Sequence, residues 1–472
     1  MNRLNTSIMI ASLFFMPFII SNISYFDDMG RIALGYYSWS VDGRPLSDLT
    51  FRLLSLGGDL TDLFPYTYLL SIVTLSIVIM LMTPKEYKLQ GIIISSCSFI
   101  SWNYIQNAAY RFDNITMALS LMFCVAAAYF NHNRKWMPIL KTILLLCGLC
   151  TYQTSIGAYI SLSLFLVANR VKNNKIISLV DFIDIILPII LSLLLYRFII
   201  IDFFVSGDYA KSNGTISSSP ENFFANLYNY FDFFLKTNLD FLLKFYYAII
   251  IASTVSCFFI VNRKKEYING FTSKILLILA PLIITLSVPS FMLFFNPMTW
   301  AVRAYISFGF SVACMLLLVY IAFDTYDLKS GKLFVTLFAL VYIAYTFGAV
   351  SSFIGISNSL TKRYDKIGYS ISQNISNYEG KCLSIVGSMP LNSNEVRVLN
   401  KYKFMNGIYP RYADEYLSWV VFNVVSYGPN LASCGYTDYT ESNKNYAEMP
   451  IKYEGQMYEI RSNNRYIVII FK

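Results

Sequence analysis

The sequence predicts a polytopic α-helical membrane protein of about eleven transmembrane helices that ends in a small α+β domain. Three observations carry this. Of 472 residues, 56% are hydrophobic, 17% aromatic and only 14% charged, far more apolar than a soluble globular chain of that length. Apolar stretches of roughly 20 residues, long enough to cross a bilayer, recur along the chain. They stop near residue 355, after which polar residues and strand-like alternation take over. The net charge of +9 does not indicate a nucleic-acid partner, because the basic residues fall in short clusters between apolar runs, where they act as topology signals.

In chain order, the predicted spans lie near 7–25, 63–82, 89–105, 114–130, 137–151, 154–168, 177–199, 241–262, 274–294, 304–323 and 333–355. The fifth and sixth are short and meet at Thr151-Tyr152-Gln153, as a tight hairpin or a broken pair. With the N-terminus in the cytoplasm, the inner loops collect Arg3, Lys85, Lys88, Arg134, Lys135, Arg170, Lys172, Lys175, Arg263, Lys264, Lys265, Lys329 and Lys332, as the positive-inside bias requires. The outer face then holds a first loop near 26–62, Arg111-Phe112-Asp113, a long loop near 203–240 with a flexible part at 212–220, Phe295-Asn296-Pro297 with Arg303, and the C-terminus. No small-residue cleavage site follows the first span, which reads as a retained signal anchor.

Residues 1–355 thus form the membrane domain and 356–472 a small α+β domain. In the latter, Leu383 to Val386 reads as a strand and Asp414 to Ser426 as a helix. The alternating runs Met457 to Ile460 and Tyr466 to Ile470 flank a turn, as in a hairpin. Six cysteines lie in predicted spans, where they pack as small polarizable residues, and Cys147-x-x-Cys150 lacks partners for a metal or redox role. Cys382 and Cys434 stand apart in the C-terminal domain and are a disulfide candidate in an oxidising compartment. The lone histidine, His132, belongs to the inner loop Asn131 to Lys135, so acid–base chemistry on the outer face falls to carboxylates.

The first outer loop is the candidate site. Phe26-Asp27-Asp28-Met29-Gly30-Arg31 follows the first span directly, then come Trp39 and Asp42-Gly43-Arg44-Pro45-Leu46. The bland alternative is a helix-capping stretch in which Arg31 pairs with Asp27 or Asp28 at i,i+4 or i,i+3 spacing. Against it, adjacent carboxylates outside a bilayer can supply a general base, Trp39 offers a sugar-stacking ring, and Arg44 brings a cation on a fixed turn. As neighbours on a helix, Asp27 and Asp28 point about 100° apart and cannot share one task.

The order Asp27-Asp28, Arg31, Gly35, Trp39, Gly43-Arg44-Pro45-Leu46 resembles the signature of the type-specific Gtr O-antigen glucosyltransferases, the GtrII-like serotype-converting enzymes of temperate bacteriophages and related bacterial loci. Tyr110-Arg111-Phe112-Asp113, Tyr152-Gln153 and Arg303-Ala304-Tyr305 occupy compatible positions. The resemblance implies a GT-C-like fold in the bacterial inner membrane with a periplasmic C-terminal domain. It also implies undecaprenyl-phosphate-glucose as donor and lipid-linked O-antigen of lipopolysaccharide as acceptor.

Inverting transfer needs a carboxylate to take the acceptor proton, and the lipid phosphate that leaves is best met by arginine. Asp27 is the expected base, with Asp28 orienting the acceptor or Arg31. The expected substrate-binding set is Arg31, Trp39, Arg44, Arg111, Asp113, Tyr152, Gln153, Arg303 and Tyr305. The structural alternatives are interfacial snorkelling for Arg303 and an Arg111–Asp113 pair. No cofactor is required by this chemistry, although Asp27, Asp28 and Asp113 could hold a divalent ion. Two rivals stay open: a related transferase, polymerase or ligase using another sugar, and a transporter. A transporter is expected to carry midplane charges and two similar halves, whereas Asp181, Asp184 and Asp202 lie toward span ends and no halves match.

Overall fold

The computed structural model describes residues 2–130, 136–206, 217, 219–237, 240–296, 298, 301–375, 378–410, 424, 426–427 and 431–472. The chain divides into two compact units, Met1–Ile20 with Tyr36–Ser351 and Ser21–Gly35 with Ser352–Lys472. The boundary expected at 355/356 is thus found at 351/352, and a short piece of the first loop is counted with the C-terminal residues.

The first unit is helical. Among the described residues, six helices are long and apolar enough to cross a membrane: Arg3–Ser21, Gln153–Lys172, Leu179–Phe204, Phe241–Arg263, Val302–Thr325 and Lys329–Asn374. The other five predicted spans are helical but short or broken. Tyr66–Met82 and Lys85–Ser96 meet at a bend of 101° and make at most one span. Asp113–Tyr129 and Met137–Thr151 have 17 and 15 residues. The stretch 274–294 splits into Phe271–Ile278, Ala280–Leu286 and the 3-10 turn Ser290–Phe294, with Pro281 and Pro289 at the breaks. Proline removes a backbone donor and clashes with the preceding turn, so an apolar run by itself does not secure one straight helix. The long loop expected near 203–240 contains a helix, Pro220–Thr237. The flexible stretch at 212–220 and the loop around His132 lie largely outside the described residues.

Val302–Thr325 is the axis of this unit, since 94% of its apolar window is buried. It packs against Ile156–Lys172, Asp240–Arg263 and Lys88–Ser96. A glycine at 309 permits the closest approach, for a Cβ there would lie 2.1 Å from the Ser98 carbonyl oxygen. Around the first helix the core is aromatic, with Phe14 against Phe99 at 5.7 Å and Phe15 against Tyr68 at 5.9 Å between ring centroids.

The basic turns gather at one end. Asp324 pairs with Lys172 at 2.6 Å and Lys332 at 2.7 Å, Lys264 donates to Asn174 at 2.6 Å, and Tyr87 donates to Asn169 at 2.7 Å. The connections of Trp39 to Asp48, Tyr110 to Asp113, Tyr152 to Gln153 and the Arg303 turn lie at the other ends of these helices.

The second unit carries a five-stranded mixed sheet. Its strands are β1 (Cys382–Val386), β2 (Ala432–Ser433), β3 (Ile451–Glu454), β4 (Tyr458–Ser462) and β5 (Tyr466–Phe471), in the order β2-β1-β5-β4-β3. β1 runs parallel to β2 and β5, and β5-β4-β3 is antiparallel. The β4/β5 hairpin pairs Tyr458 with Phe471 and Ser462 with Ile467. Cys382 is bonded to Cys434, just past β2. The helix Ser393–Lys401 opens with a reciprocal cap, Glu395 N–H to Asn392 Oδ1 at 2.9 Å and Asn392 N–H to Glu395 Oε2 at 2.8 Å. The buried Glu395 carboxylate also takes Arg363 at 2.8 Å. The helix expected over 414–426 falls mostly outside the described residues.

Candidate functional site

In the second unit the acidic pair opens the helix Asp27–Leu34. Phe26 enters it at φ 44°, ψ −111°, a backbone state costly for a side chain with a Cβ, so the turn must be held from outside. Tyr25 supplies part of that hold: its hydroxyl donates to the Ile408 carbonyl and its ring lies 6.1 Å from Phe353. Asp28 supplies more. Its carboxylate is fully buried and accepts the Tyr25 N–H at 2.9 Å. Asp27, one residue earlier and so turned by about 100°, is half-exposed. Asp28 therefore braces the turn, and Asp27 is the more exposed of the two carboxylates. Arg31 is buried, and Gly35 at φ 65° closes the helix with its N–H on the Arg31 carbonyl at 2.9 Å.

In the first unit two groups form. The first centres on Asp113, the opening residue of Asp113–Tyr129, where the positive end of the helix favours a carboxylate. Its Oδ1 accepts the Trp39 indole N–H at 2.7 Å and the Arg44 guanidinium at 3.2 Å. Arg44 also lies 3.7 Å from Asp42. Trp39 was expected to stack a sugar, but its ring is fully buried and stacked on Phe51 at 4.5 Å. Its work here is to orient Asp113.

The glycine-arginine-proline turn is locked in place by side chains from distant parts of the sequence and by Asp48. Asp48 accepts the N–H groups of Trp39 and Ser40 at 3.1 and 2.8 Å. Gln153 donates to the Asp42 carbonyl at 2.9 Å and to the Tyr196 hydroxyl at 3.0 Å. Tyr196 in turn donates to the Gly43 carbonyl at 2.8 Å. Gly43 sits at φ +75°, and a Cβ there would come within 2.4 Å of that hydroxyl, so both the turn and the close approach demand glycine.

The second group surrounds Arg303. Its backbone N–H donates to Gln106 at 2.8 Å, and its carbonyl accepts from Tyr152 at 3.1 Å and Asn107 at 3.3 Å. Its guanidinium donates to the Tyr110 hydroxyl and lies 5.2 Å from that ring. Three residues thus fix the backbone of the Arg303 turn, while Tyr110 alone of these meets the half-buried guanidinium. Tyr305 packs its ring against Tyr230 at 5.7 Å and Phe233 at 5.3 Å, and is buried.

Arg111 stands apart from both groups. It pairs with Asp62 rather than with Asp113, and its guanidinium covers the Phe64 ring at 4.7 Å. Gln106, Asn107, Asp48 and Tyr196 escaped the sequence reading. The amides at 103, 106 and 107 closing an apolar run were the available signal, because polar side chains at membrane depth need a partner. Among the described residues, no group of three or more His, Cys, Asp or Glu is placed to hold a metal ion.

Comparison with known proteins bears on all of these residues. The sequence profile of the glucosyl transferase GtrII family matches residues 16–313, a stretch that contains Asp27, Asp28, Arg31 and every candidate of the first unit. A curated relative, "Uncharacterized 55.3 kDa protein in gtrB 5'region" of Salmonella phage P22, is 28% identical over 235 residues, 48% of each chain. The chain therefore spans about half the length of that relative. No solved structure matches. With its profile match running from the first apolar helix through the Arg303 turn, this chain belongs to the glucosyl transferase GtrII family.

Proposed function

We propose that this protein is a polyprenyl-phosphate-sugar-dependent inverting glycosyltransferase of GT-C-like architecture. In this reading it moves glucose from undecaprenyl-phosphate-glucose onto O-antigen repeats of lipopolysaccharide, at the periplasmic face of the bacterial inner membrane, and so modifies serotype. The observation that carries the reading is the GtrII match over 16–313, which encloses the whole candidate site.

Asp27 takes the proton of the acceptor hydroxyl, the oxygen bonds to the anomeric carbon, and the bond from that carbon to the phosphate oxygen breaks. Undecaprenyl phosphate leaves with its charge met by arginine. Arg303 suits that task through its planar, permanently charged fork, and a backbone fixed by Gln106, Asn107 and Tyr152, with the guanidinium on Tyr110, supports the choice. Arg44, paired with Asp113, is a second candidate cation for the phosphate. No step requires a cofactor. The partners are the donor, the lipid-linked acceptor and membrane lipid.

The topology belongs to the same reading. With the Lys172, Lys264 and Lys332 end in the cytoplasm, Arg44, Asp113 and Arg303 of the first unit face the periplasm; a periplasmic C-terminal domain would keep Cys382–Cys434 oxidised. Membranes containing the protein, given radiolabelled undecaprenyl-phosphate-glucose and lipid-linked O-antigen, should transfer label to the polysaccharide. UDP-glucose or undecaprenyl-phosphate-mannose in its place should not serve. Transfer from either substitute at the same rate would contradict the assigned donor.

A further inference from the structure

The Pro220–Thr237 helix divides its circumference among three surroundings. At 100° per residue, Phe224, Tyr228, Phe231 and Leu235 fall within an arc of about 60°, and they are 65%, 73%, 40% and 47% exposed. Beside this stripe run Glu221, Ala225, Asn229, Asp232 and Lys236, with Asp232 and Lys236 paired at 2.7 Å across one turn. The remaining side packs on the protein. Asn226 donates to the Leu293 and Phe295 carbonyls at 3.0 and 2.7 Å, Tyr230 lies against Tyr305, and Phe234 lies 5.2 Å from Tyr246 and 5.4 Å from Phe308.

These contacts fix the rotation of the helix, so the aromatic stripe cannot turn inward to hide. Water is a poor neighbour for four large apolar side chains in a row, yet the adjoining stripe is made for water. A helix with one face on protein, one polar and one aromatic lies where protein, water and hydrocarbon meet. The chain supports this placement from both sides: the spans Leu179–Phe204 and Phe241–Arg263 flank the helix, and Phe203, Phe204 and Phe241, at their near ends, are exposed as well.

We infer that Pro220–Thr237 is an in-plane interfacial helix whose Phe224, Tyr228, Phe231 and Leu235 stripe is covered by bilayer lipid. Tyrosine suits such a position, its hydroxyl able to stay among the headgroups, and Phe and Leu suit the apolar face of an in-plane helix. The inner face of the same helix, through Tyr230 and Phe233, backs Tyr305, two residues from Arg303. The helix therefore sets the Arg303 turn at the depth of lipid headgroups.

The test compares neighbouring positions on the two outer stripes of the full chain in lipid nanodiscs. Tyr228→Cys and Phe224→Cys report the aromatic stripe, Asn229→Cys and Ala225→Cys the polar one, each treated with a membrane-impermeant maleimide. The native thiols among the described residues are buried or half-buried, which keeps the parent background low. The two polar-stripe variants should label as surface thiols, and the two aromatic-stripe variants at least about tenfold more slowly, as expected for groups within the interface. All four should label alike after denaturation. Equal rates at 228 and 229 in nanodiscs would mean water covers the stripe. Protection that vanishes in discs holding a single protein molecule would mean a second copy covers it. Either result overturns the inference.

Discussion

Asp27 and Asp28 carry the same functional group one residue apart, and the turn before them separates their surroundings. Asp28 is sealed against the Tyr25 N–H, whereas Asp27 is half-exposed at the head of the helix. Asp27→Asn should lower transfer by on the order of 100-fold or more, as loss of a general base does, with protein abundance in the membrane unchanged. Asp28→Ala should act on the fold: a buried N–H left without its acceptor costs about 1–3 kcal/mol, so the melting temperature of the purified protein should fall. Transfer near the parent level in Asp27→Asn would return the loop to a capping role. The arginines separate in the same way. Arg303→Lys keeps the charge but loses the fork, and transfer at limiting donor should drop. Arg111→Lys should be milder, because Arg111 is engaged with Asp62 and Phe64. Equal losses in the two variants would remove Arg303 from its special place.

At the scale of elements, the Asp42-Gly43-Arg44 turn is the part most exposed to a single atom. Gly43→Ala places a methyl against the Tyr196 hydroxyl and forces alanine to a positive φ, each costing about 1 kcal/mol or more, so melting temperature and transfer should both fall. Adding Tyr196→Phe should recover only the steric share; full recovery would show that the backbone angle matters little. This lock also marks where sequence reading stops. The motif Asp42 to Leu46 was visible because its residues are contiguous, but Tyr196 and Gln153 reach it from 153 and 111 residues away, and no local pattern encodes such a contact. The β4/β5 hairpin was legible for the opposite reason, since strict alternation on both sides of Arg461 to Arg465 is a local signal. The helix Pro220–Thr237 is hard to read in the sequence because its aromatic residues occupy two faces, which blurs a single apolar stripe. The breaks at Pro281 and Pro289 inside the 274–294 run are not legible in the sequence because average apolarity is blind to geometry.

For the whole molecule, the proposed topology is tested by the Cys382–Cys434 bond of the second unit. If that unit is periplasmic, both thiols should resist labelling until reduced. Their separation of 52 residues would stabilise the domain by roughly 4 kcal/mol in the chain-entropy model. Full labelling without reductant, in protein extracted under thiol-trapping conditions, would contradict the bridge. The central claim concerns what is made. Glycosyl-linkage analysis of O-polysaccharide should be run on matched cells carrying the parent gene, the Asp27→Asn gene or neither. The account predicts an added glucose branch in the first polysaccharide alone. Identical polysaccharide from all three, in a host whose O-antigen is otherwise modified when the locus is present, would contradict it.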